Sequence, residues 1–168
     1  MDGSQESRHT VIMSEYHDLL REAYKGEVFG ESFFTALGDG PHGVDHGDAL
    51  RALAAIEAQT ARRLQPLVDA AELDVDADTA ARDGVVLAAR VADQSWDGLV
   101  ASLRGALPTF LAGFERLRAI ASHPSNPVLI DLVAHEHAID RFAALELDGQ
   151  SLEALAVLEA HLATSASA

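Results

Sequence analysis

The chain has 168 residues, 48% of them hydrophobic and only 5% aromatic, and carries a formal charge of −15. That length suits one domain, the alanine-rich composition argues for helices over an all-β fold, and a polyanion lacks the Lys and Arg needed to grip nucleic acid or an anionic membrane. The absence of cysteine excludes disulfides, thiol nucleophiles, iron–sulfur clusters and cysteine zinc sites.

Met1 to Thr10 are polar and lack the charged-then-apolar layout of a signal peptide, and residues 1–13 read as a disordered tail on a cytoplasmic protein. No apolar run approaches the roughly 20 residues of a membrane-spanning helix. A first helix is expected from Ser14, a candidate N-cap, to Leu37, stopped by Gly38-Asp39-Gly40-Pro41. A second runs from Asp45 to Ala70, with Leu50, Leu53, Ile56, Leu64 and Leu67 at helical spacing and Pro66 expected to kink its last turn. The acidic segment Glu72 to Asp78 is a connection.

The third stretch, Thr79 to Ser122, contains Gly84, Gly98, Gly105 and Pro108, so a break is expected near Gly105 to Thr109. After the turn His123-Pro124-Ser125, a last long helix starts near Asn126, with Pro127 at its favoured first position, and ends near Leu147. Ser151 opens a short C-terminal helix, and residues 164–168 should fray. The expected fold is therefore all-α: an antiparallel bundle of four long helices over residues 14–163, the third interrupted, plus a short C-terminal helix.

The informative residues are polar ones on the inward stripes. Glu27 and Glu31, four apart in Gly26-Glu27-Val28-Phe29-Gly30-Glu31, fall on the first stripe. Each interior glycine there costs about 1 kcal/mol against alanine, which points to a close helix crossing or a site. Glu57 joins the second stripe and Glu136 the last, while Glu115 in the third stretch has an ambiguous orientation. Buried carboxylates persist when they share a proton, pair with a cation or bind a metal.

A Glu in the first helix, a Glu in the second and a Glu beside His in the last resemble the ferritin-like superfamily of di-iron carboxylate bundles, over Ser14 to Leu147. The family ligand set is one Glu from each of two helices and Glu-x-x-His from the other two. What the resemblance implies is a metal site of Glu27, Glu57 and Glu136 with His137, supported by Glu31 and His135 as catalytic groups. Thr60 and Ile139 stand where the family has histidine, and His135 and His137 are each one residue off Glu136, a step of about 100° around a helix. Iron or manganese would suit the carboxylates. The implied chemistry is oxygen-dependent oxidation or hydroxylation of a small molecule, in a pocket walled by Phe34 and Phe110, and a homodimer is a further expectation of the resemblance.

Two alternatives stay open from the residues themselves. In one, a metal-free bundle uses the carboxylates as acid and base; in the other, a helical binding or structural protein performs no chemistry and packs through Gly26 and Gly30. Lys25, Arg62 or Arg63 are available to neutralise Glu27 and Glu31, and Asp140 to pair with Arg141. His42-Gly43-Val44-Asp45-His46 has a metal-like spacing but lies in a turn.

Overall fold

The computed structural model of the chain describes residues 3–165, with side chains from Thr10 onward. The helices are α1 (Gly3–Asp39), α2 (Gly43–Ala70), α3 (Ala77–Val91), α4 (Trp96–Ile120), α5 (Pro127–Leu147) and α6 (Ser151–Ser165). No strand occurs among the described residues. None of these helices is long and apolar enough to cross a membrane.

Buried residues repeat at alternating steps of three and four. On α1 the series is Leu20, Ala23, Glu27, Gly30, Phe34 and Leu37, and on α2 it is Leu50, Leu53, Glu57, Thr60 and Leu64. That spacing gives α1 one narrow seam suited to bundle packing, while α2 also buries Ala49, Ala52, Ile56 and Ala61 beside its series. The seams meet in a closed ring: α1 packs on α2, α2 on α5, α5 on α4, and α4 on α1. Outside the ring, α3 lies on α1, while α6 lies on α5 and α2.

The core divides into two apolar clusters. One gathers Phe34, Leu50, Leu53, Leu107, Ile139 and Phe142, the other Leu20, Leu64, Phe114, Leu117, Leu129 and Leu132. Following each helix from one cluster to the other gives its direction. Within the ring, α1 and α5 run one way and α2 and α4 the other, so all neighbours are antiparallel. Because α2 and α4 are parallel in this sense, α3 serves as the crossover that carries the chain back between them.

Several boundaries differ from the sequence expectation. α1 begins at Gly3, ahead of the expected Ser14 start and within the expected tail. Met1, Asp2 and residues 166–168 lie outside the described residues. The third stretch is two helices, and the break falls at Ala92 to Ser95. There the Ser95 side chain accepts a hydrogen bond from the Gly98 amide and caps α4. α4 then runs through Gly105 and Pro108, where the break was expected. In α2 the non-helical backbone is at His46, while the helix continues past Pro66 to Ala70. The start of α5 is as expected: Asn126 accepts from the Val128 amide and Pro127 occupies the first turn.

Gly84 makes the α3–α1 crossing. A Cβ there would run into the Phe29 carbonyl oxygen and come within 3.0 Å of the Phe33 amide nitrogen. Residues larger than glycine would hold the two backbones apart.

Candidate metal centre

Between the two apolar clusters the inward stripes turn polar. α1 contributes Glu27, α2 contributes Glu57 and Thr60, and α5 contributes His135 and Glu136, all buried. Glu27, Glu57 and His135 each present one ligand atom, and these atoms lie within 4.8 Å of one another. His135 Nε2 is 3.4 Å from Glu27 Oε2 and 3.7 Å from Glu136 Oε1. Phe114 packs its ring 5.9 Å from the imidazole, closing the site toward α4.

Gly30 makes room for Glu57. A Cβ at Gly30 would come within 2.7 Å of both Cδ and Oε2 of Glu57. The glycine on the α1 seam is thus a seat for a carboxylate carried by α2. Thr60 donates to the Ile56 carbonyl at 3.0 Å, satisfying itself on its own helix.

The cluster has few partners of its own. Glu27 Oε2, Glu136 Oε2 and both ring nitrogens of His135 make no hydrogen bond. Among the described residues no Lys or Arg pairs with Glu27, Glu57 or Glu136. Lys25 pairs with Glu22, and Arg63 donates to Asp131 at 2.6 Å. Asp131, one turn before His135 on α5, also accepts from Ser165 Oγ at 2.7 Å and lies 3.8 Å from His161 Nε2. This second polar layer engages the Arg63 guanidinium and ties the end of α6 to α5.

Burial without a cation favours the neutral form of every group. It raises Glu57 to about 7 and Glu136 to about 8, the second helped by repulsion from Glu57. Burial and the neighbouring carboxyls also raise Glu27 well above the usual range. His135 is lowered to about 4, chiefly by burial, and stays neutral near pH 7. A neutral imidazole is the metal-binding form, whereas the carboxyls must release their protons to bind.

A cavity of about 710 Å³ adjoins the cluster, with Glu27, Glu57 and Glu136 on its wall beside Phe34, Phe110 and Phe114. Such a volume is in the range of small-molecule sites, roughly 300–1,000 Å³. Phe34 and Phe110 thus line the cavity next to the cluster, as expected.

Other expectations are corrected. Glu31 and His137 are exposed and lie outside the cluster. Glu31 falls one position past the α1 seam, which runs through Glu27 and Gly30. His135, expected as a catalytic group although one step of about 100° from Glu136, is fully buried against Glu27. α5 packs on α2, α4 and α6 together, so it buries adjacent positions on a broad face. Glu115 is exposed, as is Asp97, so no carboxylate of α4 reaches the cluster. Asp140 pairs with Arg104 at 3.1 Å rather than with Arg141. The ring of His46 stacks on Trp96 at 4.0 Å, with His42 tilted against the same indole. Sequence reasoning missed the Asp131 layer, although the spacing of Asp131 and His135 on one helix was there to be read.

No protein-family model, curated protein or solved structure matches this chain, so its geometry alone carries the functional reading.

Proposed function

We propose that this chain binds one divalent transition metal ion, iron or manganese, through Glu27, Glu57 and His135, with Glu136 as a fourth ligand and third carboxylate, and oxidises a small apolar molecule beside it. The observation that carries the reading is the buried set of three carboxyls and one neutral imidazole with orphaned atoms and no neutralising cation. Such a set is costly without a bound cation, and oxygen-rich donors with one imidazole suit iron or manganese.

The ring of four antiparallel helices with a single crossover supports a ferritin-like arrangement. The ligand count departs from the family pair of metals. With α4 contributing no carboxylate and only one histidine present, the donors suffice for one ion. When bound, the ion would supply one-electron chemistry with dioxygen. Glu57, seated on Gly30, would hold the ion from α2 with its carboxylate kept in place by the α1 backbone. His135 holds its own position by burial between α5 and its neighbours. Phe114, buried beside the His135 ring, shields that side of the cluster from water, which protects a reactive centre from side reactions.

A second reading has an observation of its own. Glu57, held at about 7 beside Glu27, forms a carboxyl pair sharing a proton at neutral pH, and such a pair can move a proton without metal.

Elemental analysis of untagged, desalted protein expressed with added iron and manganese separates the two. The metal reading expects close to one ion per chain, lost in Glu27→Gln and Glu57→Gln while helicity is retained, and dioxygen uptake by the reduced, loaded protein. Folded wild-type protein that refuses added Fe(II) and Mn(II) would end that reading and leave the proton-sharing pair.

A further inference from the structure

Of the helix-interior glycines, Gly26, Gly30, Gly84 and Gly113 bear on α1 and the cavity, whereas Gly105 is also open but is exposed and off the cavity lining. Gly30 seats Glu57 and Gly84 admits α3, so each has a steric reason. At Gly26 and Gly113 an added Cβ would meet nothing within 4 Å. Glycine in a helix interior costs about 1 kcal/mol relative to alanine, yet packing demands it at neither position. Both line the same 710 Å³ cavity. The chain has left room at these points for atoms it does not supply.

The cavity's other features say what those atoms are. On α1 its lining runs from Leu19 to Leu37, about 27 Å at 1.5 Å per residue, so the space is long. Its walls are mainly aromatic and aliphatic, with Phe29, Phe33, Leu103 and Ile139 among them. Oε2 of Glu27 and Oε2 of Glu136, unpartnered on side chains 2% and 8% exposed, belong to residues of its wall. Lys25 is the single basic residue on the lining among the described residues, and its ammonium is paired with Glu22. An anionic group drawn inward would be buried beside carboxyls with no cation to meet it.

We propose that the cavity is a binding chamber for an elongated, uncharged apolar molecule, that Gly26 and Gly113 set its bore, and that the occupant's inner end lies against Glu27 and Glu136. This names the substrate class of the proposed metal site. It rests on that reading only for the statement that what binds there is then oxidised.

The chain has one tryptophan, Trp96, and it lines the chamber. Its emission therefore reports binding to the full-length protein. The expected result is a saturable, one-to-one response to 1-decanol below its solubility limit, with decanoate at least tenfold weaker. In Gly113→Leu, which fills the bore and removes a helix glycine, decanol should bind at least tenfold more weakly, with an unliganded Tm no lower than wild type. Gly26→Leu is the second such variant should Gly113→Leu fail to fold. No saturable response, equal binding of decanoate, or undiminished binding in the folded leucine variant would each overturn the proposal.

Metal content is counted in the same samples. Decanol binding by protein that takes no metal ends the oxidation reading and keeps the chamber. Metal-loaded protein indifferent to decanol ends the chamber and keeps the metal centre.

Discussion

Replacing Gly30 by alanine tests whether the carboxylate of Glu57 is held where a ligand must be. The new methyl would come within 2.7 Å of Glu57 Cδ and Oε2 and 3.0 Å of its Cγ. All three atoms belong to a flexible side chain, so the clash is relieved by rotating Glu57 away, with the helices left in place. Alanine also improves α1, by about 1 kcal/mol in intrinsic propensity. Stability should therefore hold or rise, while the ligand is displaced. Disturbing a group that merely supports a ligand costs about 10- to 100-fold in metal affinity. Moving the ligand itself should cost at least the upper figure, about 100-fold or about 3 kcal/mol. The assay is competition against a chelator of known affinity, with Tm by circular dichroism on the same samples. Gly105→Ala is the control: an added Cβ there meets nothing within 4 Å, and the position is exposed. It should gain the same propensity and bind metal unchanged. A stable Gly30→Ala protein that binds as tightly as wild type would refute the argument, because Glu57 would then not coordinate from its observed seat.

Three further predictions follow from the same geometry. In chelator-treated protein, Glu57 at about 7 and Glu136 at about 8 bind protons that the unfolded chain, near 4.5, has released, so stability should fall as pH rises from about 4.5 to about 8. His135 at about 4 acts oppositely between there and 6.5, so the net loss of Tm should be clearest between pH 6.5 and 8 and should vanish or reverse when metal is bound; a flat profile in metal-free protein would contradict the burial argument. Gly84→Ala, unlike Gly30→Ala, meets backbone and should destabilise by about 1–3 kcal/mol in urea unfolding, a loss below half that range meaning that α3 can shift freely. Arg63→Ala leaves Asp131 with Ser165 and His161 alone and should cost about 1–3 kcal/mol, and the loss should shrink in the double variant with Asp131→Asn.

The all-helical class was legible because the stretches are long, periodic and bounded by turn residues, and α5 begins where Asn126 and Pro127 say it should. The break between α3 and α4 was not. Glycine and proline at 105 and 108 outweighed the serine cap at 95, although a proline can be carried inside a helix whose neighbours hold it, as α4 shows. Burial of Glu27, Glu57 and Glu136 could be read from their stripes. His135 could not, because a stripe argument supposes one packed face and α5 packs against three helices. Glu31 failed for the opposite reason, since its seam is narrow enough that one residue separates inside from outside. The seat at Gly30 needed two helices at known separation, which no single sequence pattern contains.

The crossover helix α3 is secured differently from the rest of the bundle. Its buried residues are Ala80, Gly84 and Ala88, all small. Its main packing partner is α1, and no other described helix packs on it to a comparable extent. Its own buried face is thus built of small side chains, whereas the ring helices meet through leucine and phenylalanine. Segments so attached open with less free energy than the whole molecule. The amides of α3 should therefore exchange with solvent well before those of α5. Since Ala80, Leu87 and Val91 also form part of the cavity wall, exchange of α3 ahead of α5 would mark the helix that returns the chain across the bundle as a route by which a molecule reaches or leaves the interior.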